Sequence, residues 1–283
     1  MMKNTISLIA AFFAALTLIA PGYADEKSDP DTLRVALLPD ENASTIIKAN
    51  EGLKNYLEAE LGKKVEIVVT TDYSSMIEAM RRGRLELGYF GPLSYVLAKD
   101  KSPELEPFAA QMKDGSPTYH SVFIGSVEAG IEKPEDVKGK TMAYGDQAST
   151  SSHLIPKSLL IDRGLEAGRD YSEQFLGSHD AVALAVQNGN AEVGGMSQPI
   201  YEALVAKGTI DPAKVKAIEV SPAYPNYPWT MQGYLAPELK EKIRNAFYNL
   251  KDEEILGKLK ADGFAEAKDE DYEKVRKLTS ILD

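Results

Sequence analysis

Short apolar runs alternate with amphipathic runs along most of this chain, and that alternation restricts the fold more than any other feature. Residues 33–38 read as a strand. An amphipathic helix follows over 44–61 and stops at Gly62. Residues 65–69 form the next strand, Asp72 caps a helix to residue 82, and Gly83 stops it. A strand over 85–90 then meets a Gly91-Pro92 turn, where Pro takes the first position of a helix. One helix between successive strands makes the strands run the same way, so the pattern predicts an α/β sheet.

Extended segments at 105–112 and 119–127 come next, and a second series of strands and helices follows. It comprises a strand over 141–144, a helix from Ser149, a strand near Phe175, a helix over 180–187 and a strand over 191–194. Pro222, Pro225 and Pro228 mark an irregular stretch before a returning strand at 229–234. From Pro237 the chain reads as helical and charged. Two α/β halves with crossovers near 119–125 and 217–228 predict a two-lobed binding protein. One lobe comprises 25–122 and 228–283, the other 123–227, and each is a mostly parallel sheet flanked by helices. In open sheets of this kind ligands sit beyond the carboxyl ends of the strands.

The first 24 residues have the pattern of an export signal. A short positive start at Lys3 precedes a nearly unbroken apolar run over 6–20, and Gly22-Tyr23-Ala24 carries small residues where signal peptidase reads. Cleavage is expected before Asp25. The apolar run is short for a membrane span, and no later stretch approaches one. The chain contains no Cys, which removes disulfides, thiolate chemistry and an N-terminal lipid-bearing Cys. The expected address is therefore the periplasm. A net charge of −11 argues against nucleic acid and anionic membrane surfaces as partners. It leaves a small anion open, because local donors decide such a site.

Catalysis finds little support. His120, His153 and His179 are the only three histidines and none pairs at metal-ligand spacing. The chain has no Gly-x-Ser-x-Gly elbow and no phosphate-loop pattern. Acidic groups such as Glu253-Glu254 and Asp269-Glu270-Asp271 read as solvated faces. No cofactor and no metal is expected, and monomer is the default.

The run Tyr144-Gly145-Asp146-Gln147-Ala148-Ser149-Thr150-Ser151-Ser152-His153 carries the most chemistry. A strand ends in a Gly-Asp turn and hydroxyl residues open a helix, which places unpaired amides, hydroxyls and the positive end of a helix dipole together. An ordinary N-cap and an oxyanion cradle both fit this run. Tyr73 and His179 also lie at strand-to-helix junctions, and Tyr119 lies at the crossover. Ser94, one turn beyond Gly91-Pro92, and Tyr227 are secondary candidates.

Several segments together resemble the phosphonate/phosphite substrate-binding proteins of ABC importers. They are Asp72-Tyr73, Tyr89-Phe90-Gly91-Pro92-Leu93-Ser94, Asp114-Gly115-Ser116-Pro117-Thr118-Tyr119, the stretch from Gly145-Asp146 to Ser151, His179 with Ala183-Leu184-Ala185-Val186, and Ser221-Pro222. The resemblance runs in order from about Leu33 to the C-terminal helices. It implies a type II-like periplasmic receptor that closes on its ligand and serves an inner-membrane ABC permease. It further implies that Tyr73 and Tyr119 donate phenol hydroxyls, that Ser149, Thr150 and Ser151 donate hydroxyls and amides, and that His179 donates from the second lobe.

Two positions depart from the family pattern. Relatives that bind aminoethylphosphonate carry acidic residues where this chain has Pro199 and Tyr227, and a buried ammonium without a carboxylate is costly. The second position is also acidic in many relatives with small ligands, where the carboxylate accepts a proton from the ligand. Its absence favours a ligand that needs donors only, such as a fully ionised phosphonate, over protonated phosphate or phosphite. Taken as a whole, the expected ligand is phosphite or a short alkylphosphonate such as methylphosphonate. Another tetrahedral oxyanion (sulfonate, sulfate or phosphate) is the alternative. A secreted hydrolase using Ser149 or Ser151 with His179 is the reading from a different class.

Overall fold

β1 (Thr32–Leu37) lies inside the first of two mixed sheets and sorts its side chains between two cores. Leu33, Val35 and Leu37 enter one core; Ala36 and the following Leu38 enter the other. This is the two-residue period of a strand buried on both faces. The computed structural model describes residues 28–282, so the expected signal segment 1–24 and its cleavage point lie outside the described residues.

Along the chain, β1 is followed by α1 (Ala43–Leu61), β2 (Lys64–Val69), α2 (Tyr73–Arg81), β3 (Leu87–Tyr89), α3 (Pro92–Lys101) and β4 (Glu106–Met112). α1 starts where the Asn42 side chain accepts from the Ser44 amide at 3.0 Å, and ends at Gly62 with φ 61°. Its buried face is Ile46, Asn50, Leu53, Leu57 and Leu61, the three-to-four spacing of an amphipathic helix. α2 starts at Asp72, whose carboxylate accepts from the Ser75 amide at 2.6 Å. That cap sets Tyr73, Met76, Ile77 and Met80 toward the interior.

The crossing strand β5 (Thr118–Tyr119) leads into β6 (Ser121–Ser126) and the second lobe. There follow β7 (Thr141–Tyr144), a π-helical turn over Thr150–Leu154, α4 (Ile155–Asp162), β8 (Ser172–Phe175), α5 (His179–Gln187), β9 (Val193–Ser197), α6 (Gln198–Ala206) and β10 (Val215–Val220). The chain returns through β11 (Tyr224–Pro225) to β12 (Pro228–Met231), α7 (Pro237–Asn249), α8 (Glu253–Lys258), β13 (Gly263–Glu266) and α9 (Glu273–Leu278). The crossing strands β5 and β11 pair antiparallel, Tyr119 opposite Tyr224, and form a two-stranded hinge.

The first sheet has the order β13-β4-β12-β3-β1-β2 and the second β10-β6-β9-β7-β8. The α/β architecture is the expected one, but each sheet is mixed rather than mostly parallel. β1, β2 and β3 run parallel, as do β7, β8 and β9. β12 pairs antiparallel with β3 and β4, and β6 pairs antiparallel with β9 and β10. These reversed strands are the ones that enter a lobe from the hinge, so no helical crossover sets their direction. The charged end is not wholly helical: β13, four residues beginning at Gly263, extends the sheet at its β4 edge. So short an edge strand carries almost no periodic signal.

The two lobes meet. The core that holds Tyr73, Phe90, Leu93 and Val96 of the first lobe also takes in Ala148, Leu154 and Ile155 of the second. Hydrogen bonds cross the cleft: the Leu93 amide donates to Thr150 Oγ1 at 2.7 Å, the Tyr73 amide to Asp146 Oδ2 at 3.3 Å, and the His179 amide to the Asp40 carbonyl at 2.9 Å. The molecule is in a closed form.

Candidate functional site

The hydroxyl-rich run lies where β7 ends, at the cleft. Gly145 gives its amide to Ser152 Oγ at 2.8 Å, and Ser152 Oγ donates to the Gly195 carbonyl. A Cβ on Gly145 would stand 3.0 Å from Ser152 Oγ, so any larger residue here would push that hydroxyl by a few tenths of an ångström. Asp146 folds back onto the Ala148 amide at 2.7 Å. Ser149 caps the turn, its hydroxyl accepting from the Ser152 amide at 3.1 Å. The first bonds then run five residues back, from the Leu154 amide to the Ser149 carbonyl and from Ile155 to Thr150. The helix expected from Ser149 thus opens as a π-helical turn. Single π turns of this kind concentrate at functional sites. The amides of Thr150 and Ser151 precede its first bond and have no partner within it.

Six residues singled out from the sequence come together around this turn: Tyr73, Tyr119, Ser149, Thr150, Ser151 and His179. None is more than 3% exposed. The Tyr73 hydroxyl lies toward Ser149, and the Tyr119 hydroxyl toward Thr150 and Ser151. Burial raises both phenol pKa values above the ordinary tyrosine value, which keeps the protons on and leaves both groups as donors. His179 arrives from the second lobe at the start of α5. Its Nδ1 accepts from the Ser197 amide at 3.1 Å, so the ring proton sits on Nε2. Burial, with Lys260 adding to it, pushes the imidazole pKa down to about 3. His179 is therefore a neutral donor.

Among the described residues six buried side-chain polar atoms have no hydrogen-bond partner: Tyr119 Oη, Ser151 Oγ and His179 Nε2 from this group, and His153 Nε2, Trp229 Nε1 and Thr230 Oγ1 outside it. Such atoms are rare and costly, by about 1–3 kcal/mol each. Tyr119 and Ser151 lie together, and the backbone of His179 is tied to Asp40 in the wall of an adjoining cavity; three donors of this kind describe a place for an acceptor.

Two other expectations resolve differently. Ser94 is buried beside the cluster, but its hydroxyl donates to the Gly91 carbonyl at 3.0 Å in its own helix turn. His153, at the end of the run, turns away: its Nδ1 meets the Gln147 carbonyl at 2.7 Å and its ring lies edge-on to Tyr144 and Phe175.

A cavity of about 120 Å³ adjoins the cluster, with Leu38, Asp40, Tyr89, Tyr119, Pro199 and Tyr227 among its walls. Tyr227 stands edge-on to Tyr119, ring centroids 5.3 Å apart, and tilts against Tyr89 at the same distance. Lys113, Lys207, Lys258 and Lys260 also line the cavity. Pro199 and Tyr227 are where a site without acidic groups was expected, yet the pocket does hold a carboxyl. Asp40, in the loop after β1, is 8% exposed. Burial, then the neighbouring Glu41, raise its pKa to about 7, while Lys260 and the facing Tyr227 hydroxyl oppose the rise. Sequence reasoning passed over Asp40, although Pro39-Asp40-Glu41 follows a strand at its carboxyl end. Among the described residues no cluster of three or more His, Asp or Glu could hold a metal ion.

Two α/β lobes on a two-stranded hinge, closed over a buried pocket, define the two-lobed substrate-binding proteins. The family described as "ABC transporter, phosphonate, periplasmic substrate-binding protein" matches residues 35–272, and the chain belongs to it. It is 30% identical to the phosphate-import protein PhnD of Mycolicibacterium smegmatis, over 98% of this chain and 96% of that protein. It is 26% identical to a probable ABC transporter phosphite binding protein, PhnD1, of Prochlorococcus marinus, over 90% and 92% of the two chains. The solved structure of PhnD1 from Prochlorococcus marinus in complex with methylphosphonate superposes with a TM-score of 0.84 at 23% identity, covering 90% of this chain and 99% of that one.

Proposed function

We propose that this chain is exported to the periplasm and there captures a small phosphorus oxyanion, phosphite or a short alkylphosphonate such as methylphosphonate, for an inner-membrane ABC permease. The observation that carries this reading is the trio of unpartnered buried donors, Tyr119 Oη, Ser151 Oγ and His179 Nε2. An oxyanion offers acceptors enough for all three, and bonds to a charged acceptor are about twice as strong as neutral ones. Tyr73, Ser149 and Thr150 complete the set from the same turn and the facing helix. The cavity under Tyr227 and Pro199 accommodates the fourth substituent on phosphorus. Closure about the β5–β11 hinge brings Leu93 onto Thr150 and His179 onto Asp40, so donors from both lobes meet only in the closed form.

Phosphate is the second reading, favoured by the Asp40 carboxyl, which suits a ligand that carries an acidic proton. The 30% identical relative, named a phosphate-import protein, lends it weight. A hydrolase has no working base here. His179 Nε2 carries the proton and Nδ1 is occupied by the Ser197 amide, so neither nitrogen can accept from Ser149 or Ser151.

Calorimetric titration of the purified protein with phosphite, methylphosphonate, phosphate, aminoethylphosphonate and sulfate tests the proposal. A phosphorus oxyanion should bind tightest. Aminoethylphosphonate should rank lowest of the phosphonates, because four lysines line the cavity and Glu41 is already paired with Lys260. Tightest binding of sulfate, or no binding of any phosphorus oxyanion, would refute it.

A further inference from the structure

The carboxyl of Asp40 is the feature of the pocket that an all-donor oxyanion site does not need. It lines the cavity, is nearly inaccessible, and makes no ion pair among the described residues. The nearest ammonium, Lys260, is held by Glu41. Its backbone is fixed as well, because the Asp40 amide donates to the Leu38 carbonyl at 2.9 Å and its own carbonyl accepts from His179. A buried carboxylate facing an incoming anion is doubly unfavourable unless a proton lies between them.

We propose that Asp40 is the specificity residue of this site: it holds a single proton in common with one ligand oxygen, so that the closed complex accepts phosphorus oxyanions and disfavours sulfur ones. The inference rests on the phosphorus-oxyanion reading above. The proton balance is simple. A monoprotonated ligand meets ionised Asp40, or a fully ionised ligand meets protonated Asp40, and either route gives the same complex with one proton. Phosphate-type groups lose their last proton near neutral pH, at about 6 in a phosphate ester, and so bring that proton with them. Sulfate and sulfonates carry none near neutrality, and the complex must then draw one from solvent.

The other groups that face Asp40 do not supply this proton. Tyr73, Tyr89, Tyr119 and Tyr227 surround it, and burial holds all four phenols in the neutral form. His179 is locked neutral, since protonating Nδ1 would break its bond from the Ser197 amide. Glu41 and Lys260 pair with each other. The remaining charges on the cavity wall are Lys113, Lys207 and Lys258.

Titration calorimetry of the full protein with phosphite at about pH 8.5, in buffers of different ionisation enthalpy, counts the protons taken up. The expected result is about one proton per ligand, with affinity falling about tenfold per pH unit above that point. In Asp40→Asn, which keeps the size but holds no titratable proton, uptake should drop to near zero. Sulfate should then gain on phosphite by about tenfold or more, because the carboxylate no longer repels it. Tight phosphite binding by the wild type without proton uptake overturns the proposal, whatever the variant does. Uptake that persists in Asp40→Asn overturns it too. So does a wild-type preference for aminoethylphosphonate that the substitution removes, since Asp40 would then be an ammonium partner. Absence of binding by every phosphorus oxyanion overturns the underlying reading itself.

Discussion

Tyr119→Phe removes one atom from the site and should act with opposite sign on the free and the loaded protein. The ring stays where it is, edge-on to Tyr227 at 5.3 Å, and the backbone remains paired with Tyr224 in the hinge. Only the hydroxyl goes, and in the closed ligand-free molecule that hydroxyl is buried without a partner. Its removal relieves a penalty of about 1–3 kcal/mol in that form, so the variant should unfold no earlier than the wild type without ligand. On the proposed reading the same hydroxyl donates to the bound anion, a bond worth about 1.5–3 kcal/mol. At about 1.4 kcal/mol per decade, affinity for phosphite should fall roughly 10- to 150-fold. Calorimetric titration reads the second effect, and thermal unfolding without ligand reads the first. Unchanged affinity, or a ligand-free Tm lowered by several degrees, would show that the hydroxyl serves the fold and not an oxyanion.

Ser151 and Thr150 should separate in the same assay. Ser151→Ala loses an unpartnered hydroxyl and so affects ligand alone, by about 1.5–3 kcal/mol. Thr150→Ala also orphans the Leu93 amide that closes the cleft, adding about 1–3 kcal/mol, and a smaller loss for Thr150 than for Ser151 would contradict the geometry. His179 sets an acid limit. Its folded pKa of about 3 lies below the ordinary histidine value, so between the two the unfolded chain binds a proton that the folded chain refuses. Its contribution to stability is therefore intact above about pH 6.5 and is lost as pH falls toward about 3. Denaturant melts of His179→Asn across this window should show a shallower acid loss than the wild type; parallel curves would mean the imidazole is not buried neutral.

Most of the element order could be read from the chain because each helix has a local start and stop. Asn42 and Gly62 bracket α1, Asp72 caps α2, and Pro92 opens α3; each acts within a few residues of itself. What escaped was set by partners distant in sequence. β13 exists because the edge of β4 was open, and the reversed strands β6 and β12 take their direction from the hinge. The π turn needs Gly145 against Ser152 and Ser152 against Gly195, the second contact 43 residues away. Asp40 carried a usable signal, its place after the first strand. Its importance lay in burial among tyrosines from β5 and the stretch before β12, which no local pattern records.

By itself, then, the sequence determined a two-lobed α/β chain with a hydroxyl-lined helix start suited to an oxyanion, because capping, periodicity and donor chemistry are properties of neighbouring residues. Tertiary structure decided which of those donors stay unsatisfied. Ser94 spends its hydroxyl on Gly91 and Ser152 spends its own on Gly195, while Tyr119, Ser151 and His179 are left buried with no partner among the described residues. It also set the Asp40 carboxyl in the same cavity wall as Tyr119. Whether a buried polar group is free or occupied depends on what the fold brings within 3 Å of it, and that distance is fixed only when both lobes are in place.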